Sequence, residues 1–219
     1  MGFTWKMKAR YLLRNTFLWD LFWGMREKKQ LAVWENNGRL GPPHVVKQRI
    51  LIDHAKKFNL EVLVETGTFL GDMIYAMKDQ FKEIYSIELS QELHEKAKEA
   101  FRTSPHIHLV AGDSSKALDS VLAGITKPCL FWLDGHYSGG ITALGEERCP
   151  IRAEFAAILR HPIQGHVLLI DDSQCFDGNY GYPTLFELHD IVVDNLPGYE
   201  MQVFDNVIQI RPQLSAALA

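Results

Sequence analysis

Two short apolar runs end in carboxylates, and that pairing constrains this chain more than any other feature. One reads Pro128-Cys-Leu-Phe-Trp-Leu-Asp134 and continues into Gly135-His136-Tyr137-Ser138-Gly139-Gly140. The other reads His166-Val-Leu-Leu-Ile-Asp171-Asp172. Uninterrupted apolar runs of this length are what a parallel sheet covered on both faces requires. A carboxylate set against such a run is costly to desolvate without a partner. In open α/β sheets the carboxyl ends of the strands are where ligands bind. If the two strands are neighbours, Asp134, Asp171 and Asp172 converge on one stretch of that edge. A cluster of like charges needs compensation by a cation or by protons. Oxygen-only ligands suit a hard cation such as Mg2+, Mn2+ or Ca2+.

The rest of the chain supports an alternating architecture. Helical patterns over about 44–57, from about 71, 90–102, 114–123, 150–160 and 183–194 alternate with strand patterns at 60–65, 83–88, 106–111 and the two aspartate-ended runs. Two last strands, near 199–204 and 206–211, are joined tightly through Asp205-Asn206. Alternation of this kind means βαβ units and a parallel sheet. The tight final turn makes the last strand antiparallel, because parallel partners need a crossover. At 219 residues the chain is long enough for one such domain with an appendage.

That appendage is residues 1–43. Its first 30 residues carry seven Lys or Arg against Asp20 and Glu27, a local charge of +5 that leaves −9 on the remainder. They are also rich in aromatic residues. On a helix Met7, Tyr11, Leu18, Phe22 and Met25 share one stripe, and Leu12, Trp19 and Trp23 a second, which predicts burial against more than one surface. Packing on the domain or on a second copy of the chain is the expected role; peripheral contact with an anionic membrane surface is the other reading. No apolar run reaches the roughly 18–20 residues of a membrane span. Gly38 to Pro43 reads as the linker to a domain spanning 44–219. The overall charge of −4 is a poor footprint for nucleic acid. Three cysteines, Cys129, Cys149 and Cys175, with no C-x-x-C pair, argue against a disulfide framework and fit a reducing, cytoplasmic setting.

The first strand runs into Glu65-Thr66-Gly67-Thr68-Phe69-Leu70-Gly71-Asp72. Strand, glycine turn and helix in that order make a nucleotide-sized site, with Gly67 letting the backbone approach the ligand and Gly71 letting helix and strand pack closely. The second strand ends at Glu88-Leu89, where a carboxylate can accept from both hydroxyls of a ribose. The third ends in Gly112-Asp113-Ser114, within reach of a base; Asp113 is equally suited to cap a helix.

With these residues in view the chain resembles the class I S-adenosylmethionine-dependent methyltransferases over about residues 44–211. Glu65, Gly67 and Gly71 match their first motif, while Phe69 stands where the family has its middle glycine. The resemblance implies a doubly wound, mostly parallel seven-stranded α/β sheet of order 3-2-1-4-5-7-6. It also implies a cofactor site of Glu65, Thr66, Gly67, Thr68, Gly71, Asp72, Glu88, Leu89, Asp113, Ser114 and Asp134. Glu65 and Gly67 would lie near the methionine part, Glu88 on the ribose, and Asp113 with Ser114 at the adenine. Asp134, Asp171 and Asp172 resemble the metal ligands of divalent-cation-dependent O-methyltransferases, whose catechol group has Asp-Asn at the doublet. The pattern is also similar to the macrocin O-methyltransferase (TylF-like) group, which methylates sugar hydroxyls. The implied reaction is O-methylation of a small-molecule or glycan hydroxyl.

Methyl transfer from a sulfonium needs an oriented, deprotonated acceptor. A divalent cation lowers the pKa of a bound hydroxyl, and a base removes its proton. His136 is the first candidate base and Tyr137 the second, matching the position of the base in the catechol group. Loop 135–149, with Ser138 and Thr142, can close over a polar substrate. Loop 173–182 adds Gln174, Asp177, Tyr180 and Tyr182, whose rings can stack on a sugar or pack the loop down. Two competing readings remain: an NAD-dependent oxidoreductase, which leaves the three aspartates unexplained, and a non-catalytic binding protein for membrane surfaces.

Overall fold

The computed structural model describes residues 16–38, 41–135 and 149–214. After helix α1 (Phe17–Asn36) and α2 (His44–Lys57), strands and helices alternate: β1 (Val62–Thr66), α3 (Asp72–Met77), β2 (Glu83–Glu88), α4 (Gln91–Phe101), β3 (Ile107–Ala111), α5 (Ser114–Leu122), β4 (Cys129–Leu133), α6 (Ile151–Arg160) and β5 (Val167–Ile170). A 3-10 turn (Ser173–Cys175), α7 (Leu185–Asn195), β6 (Tyr199–Phe204) and β7 (Val207–Pro212) complete the domain. The sheet has the order β3-β2-β1-β4-β5-β7-β6. Strands β1 to β5 pair in parallel, and β7 runs antiparallel to both β5 and β6. This is the expected topology, with strand ends shifted by a residue or two.

Alternation along each central strand explains why both faces are covered. Val62 and Val64 of β1, with Cys129, Phe131 and Leu133 of β4, join a core shared with α5, α6 and α7. Leu63 of β1, with Leu130 and Trp132 of β4, joins a second core shared with α2, α3 and α4. Successive side chains point to opposite faces, so a strand buried on both sides reads as a continuous apolar run. The β6–β7 turn places Asp205 and Asn206 at φ +48° and +60°, the left-handed pair that two-residue hairpins favour.

Helix α1 runs past the basic stretch to Asn36, and its Trp34 is buried in the second core. Met25, expected on a buried stripe, is 66% exposed, as is much of Leu21 and Val33. Among the described residues the last turns of α1 reach the core, through Trp34 with Leu31 packed beside it, and Met25 is left uncovered. Met7, Tyr11 and Leu12 lie outside the described residues, as do the side chains of Leu18, Trp19, Phe22 and Trp23. Among the described residues no helix is long and apolar enough to cross a membrane.

Candidate functional site

The parallel pairing brings the ends of β1, β2, β3, β4 and β5 to one edge, and the residues singled out from the sequence lie along it. Beyond β1 the chain turns at Gly67, whose φ is +86°. A Cβ there would come within 2.4 Å of the Asp134 carbonyl oxygen, so the turn and the end of β4 approach as only glycine permits. Phe69 stands in place of a glycine but keeps a glycine's conformation, at φ +48°. Its N–H donates to Glu88 Oε2 at 2.7 Å, which holds the strained residue in place. The Phe69 ring is 40% exposed at the edge. Gly71 precedes α3 and Asp72 opens it.

Glu88 uses both carboxylate oxygens. Oε2 accepts from Phe69 N and Oε1 accepts from Ser90 N at 2.8 Å. Burial pushes its carboxyl above the usual range, against the pull of these backbone donors. The β1 end is tied to β2 by a buried chain: Thr68 Oγ1 meets Ser86 Oγ at 2.6 Å, and Ser86 Oγ donates to Glu65 Oε2 at 2.5 Å. Burial drives the Glu65 carboxyl well above its ordinary pKa, against the pull of the Ser86 hydroxyl. Leu89 is partly exposed beside Glu88.

Asp113 caps α5: its Oδ1 accepts from Ser115 N at 3.0 Å and from Ser115 Oγ at 2.7 Å. Ser114 is buried next to Gly135, where a Cβ would meet Glu154 Oε1, Ser114 Oγ and Thr66 Oγ1 at 3.1–3.2 Å. Glu154 of α6 is therefore part of this edge, and nothing in its sequence setting marks it out. A cavity of about 10 Å³ beside it, room for one water, is also lined by Asp171, Cys149 and Tyr182. Burial pushes the Cys149 thiol up to about 12, so it is no nucleophile at neutral pH.

At the other end of the site β4 and β5 are adjacent, and Asp171 N donates to Leu133 O. The doublet is shaped by its backbone. Asp172 takes a left-handed conformation (φ +55°, ψ +53°), and its N–H donates to Asp171 Oδ1 at 2.8 Å. Asn206 Nδ2 donates to Asp172 Oδ1 at 3.1 Å. The positive partner comes from α2, a source the sequence reading missed. Lys47 Nζ donates to Asp171 Oδ2 at 2.5 Å and lies 3.9 Å from Asp172 Oδ1. Asp171 is 4% exposed and Lys47 16%.

Burial works to lower the Lys47 pKa, but Asp171, Asp172 and Asp134 outweigh it and hold the ammonium above its usual range. Burial pushes the Asp171 carboxyl up while Lys47 pulls it down. On balance burial wins and the Asp171 carboxyl sits above its usual range, while Lys47 faces two carboxylates. Arranged this way the three aspartates do not form a metal site. Among the described residues no group of three His, Cys, Asp or Glu is placed to hold an ion. Lys47 occupies the Asp171 oxygen that an ion would need.

In the 173–182 loop, Tyr182 packs edge-on against Phe176 with centroids 5.3 Å apart, whereas Tyr180 is exposed. Asp177 accepts from Asn179 N, and Gln174 lies beside Asp172. His136, Tyr137, Ser138 and Thr142 lie outside the described residues.

No protein-family model matches this sequence, and no curated protein matches it either. Solved structures do resemble it. The O-methyltransferase from Bacillus cereus, in complex with S-adenosylhomocysteine, superposes with a TM-score of 0.58 at 12% identity, covering 85% of this chain and 90% of its own. TomG from Streptomyces achromogenes, an O-methyltransferase of tomaymycin synthesis, gives 0.56 at 13% identity, covering 77% and 80%. The methyltransferase PaMTH1 of Podospora anserina gives 0.54 at 15%, covering 98% of both chains. At these identities the likeness establishes the fold. The chain has the Rossmann-like fold of the S-adenosylmethionine-dependent methyltransferases, and the residues described above lie along the carboxyl edge of its sheet.

Proposed function

We propose that this protein is an S-adenosylmethionine-dependent methyltransferase that methylates a hydroxyl of a small molecule or glycan, such as a sugar of a natural product or surface polysaccharide. The observation that carries this reading is the succession of Gly67 and Glu88 at the ends of β1 and β2, facing the aspartate edge of β4 and β5. The donor set fits the cofactor. A carboxylate offers about four acceptor positions; Glu88 accepts from the backbone N–H groups of Phe69, Ser90 and Leu89, and its remaining capacity is assigned to a ribose hydroxyl. The close approach of Gly67 to the Asp134 carbonyl keeps the glycine turn and the end of β4 side by side at this edge. Asp113 and Ser114 are assigned to the adenine, with Thr66, Thr68, Asp72, Leu89 and Asp134 lining the same site.

When bound, the cofactor supplies a methyl group to the acceptor oxygen as the carbon–sulfur bond breaks and its electron pair returns to sulfur. The chain's part is to orient the acceptor and take its proton. His136 or Tyr137 is assigned the proton, at the imidazole nitrogen or the phenolate oxygen. Asp134 and the Asp171–Asp172 doublet orient the hydroxyl. The expected cation would have to displace Lys47 from Asp171, so no step of this proposal runs through a metal.

Calorimetry with S-adenosylhomocysteine and with NAD separates this reading from an oxidoreductase, and label transfer from S-adenosylmethionine to a panel of hydroxylated acceptors tests the reaction. Binding of NAD in preference to S-adenosylhomocysteine would overturn it.

A further inference from the structure

We propose that Lys47 is the resident cation of the acceptor site, taking the place at Asp171 and Asp172 that a divalent ion would otherwise fill. The inference rests on the reading that this edge receives the acceptor, and its test is independent of cofactor binding.

Three observations carry it. Lys47 reaches the site from the first turn of α2, whose amino end the β1 direction sets at the carboxyl edge of the sheet. Its Nζ lies within hydrogen-bond distance of the most buried carboxylate of the doublet and 3.9 Å from the second. The position is braced rather than left to a mobile side chain: Asp171 Oδ1 is taken by Asp172 N, and Asp172 Oδ1 by Asn206 Nδ2. The turn carrying Lys47 is held too, with Gln48 Nε2 donating to His44 Nδ1 at 2.7 Å.

Such an arrangement excludes a second cation. A divalent ion bound to Asp171 would face the ammonium across a few ångströms, and like charges that close repel strongly at low dielectric. An ammonium also does work a cation would do. It has three donors; Asp171 takes one, and another is free to bind an acceptor oxygen at the doublet. A lysine is a compact point charge suited to a hydroxyl or a single anionic oxygen. The ligand class that fits is a hydroxylated acceptor bound without chelation, rather than a catechol gripped through two oxygens by a metal.

The experiment is manganese binding, followed by the electron paramagnetic resonance signal of free Mn2+, in the wild type, Lys47→Ala and Lys47→Ala/Asp171→Asn. Calorimetry with S-adenosylhomocysteine accompanies each. The wild type should bind manganese at the doublet weakly, and Lys47→Ala should bind it about 10–100-fold more tightly, on the scale at which groups beside a metal site tune affinity. The double variant should lose that gain. Wild-type manganese binding as tight as that of Lys47→Ala, and abolished by a single Asp171→Asn variant measured beside them, would overturn the proposal, as would a folded Lys47→Ala that gains no affinity. If Lys47→Ala does not fold, the wild type and Asp171→Asn still decide. Failure of S-adenosylhomocysteine to bind the wild type would instead strike the methyltransferase reading and leave the manganese result standing.

Discussion

Replacing Glu88 separates the proposed ribose ligand from a loop brace, because one carboxylate is assigned both tasks. Its two oxygens accept from Phe69 N and Ser90 N. In Glu88→Ala the ribose hydroxyls lose a charged acceptor. The expected loss is about 2–3 kcal/mol, or roughly 30–150-fold in affinity for S-adenosylhomocysteine. The same change leaves two backbone donors without their acceptor. Because Phe69 is partly exposed, water can reach one of them, so the stability cost stays near the low end, about 1–2 kcal/mol. For a domain of this size that lowers Tm by about 2–8 °C.

Glu88→Gln is not a mild control. One carboxylate oxygen becomes an NH2 group facing a backbone N–H, a donor opposed to a donor. It should weaken binding by about 2 kcal/mol and lower Tm as well. Calorimetry well below Tm, beside thermal melts, distinguishes the roles. A lower Tm with the parent's affinity would show that Glu88 only braces the loop, and would refute its place on the ribose.

Gly67→Ala would bring a methyl group to within 2.4 Å of the Asp134 carbonyl at a left-handed φ; we expect a loss of about 1–3 kcal/mol in stability and of S-adenosylhomocysteine binding, and parent-like calorimetry would refute the close approach. Phe69→Gly removes a left-handed strain of about 1–2 kcal/mol against a glycine entropy cost of about 0.5–1 kcal/mol, so Tm should hold or rise, whereas Phe69→Val should lower it. At the opposite edge of the sheet, His166 Nδ1 accepts from Cys129 N and its Nε2–H donates to His161 Nδ1; burial, then His161, lowers its pKa to about 4. The neutral form therefore stabilises the fold fully above about pH 6.5, and up to about 3 kcal/mol is lost as pH falls toward 4; urea titrations between pH 7 and 5 should show that slope, flattened in His166→Asn.

Much of the fold was legible because its strands are buried on both faces, so apolar runs such as Cys129–Leu133 marked them without ambiguity. The glycine turn and Glu88 were legible for a related reason: each lies at a strand end, where sequence position and place on the sheet edge coincide. Phe69 shows the limit. A residue type that disfavours left-handed backbone gave no hint that it adopts one, since the N–H bond to Glu88 that holds it links residues 19 apart. Met25 shows another limit: its exposure in the single chain excludes burial on its own domain, while a stripe on a helix does not say whether a second copy covers it.

The aspartate edge makes the same point about charge. Asp171-Asp172 at the end of an apolar strand requires positive charge nearby, and that requirement can be read from the doublet alone. What supplies the charge cannot, because Lys47 lies 124 residues away in sequence and is one of many lysines. Only the topology, which runs α2 down the sheet before β1 returns, sets its first turn beside Asp171, just beyond the end of β5. A lysine built into the chain and an ion drawn from solution answer the same electrostatic demand with different consequences. The ion chelates two acceptor oxygens and is lost to EDTA; the ammonium binds one and is not. Manganese binding in the presence and absence of Lys47 therefore bears on which acceptors this edge can hold.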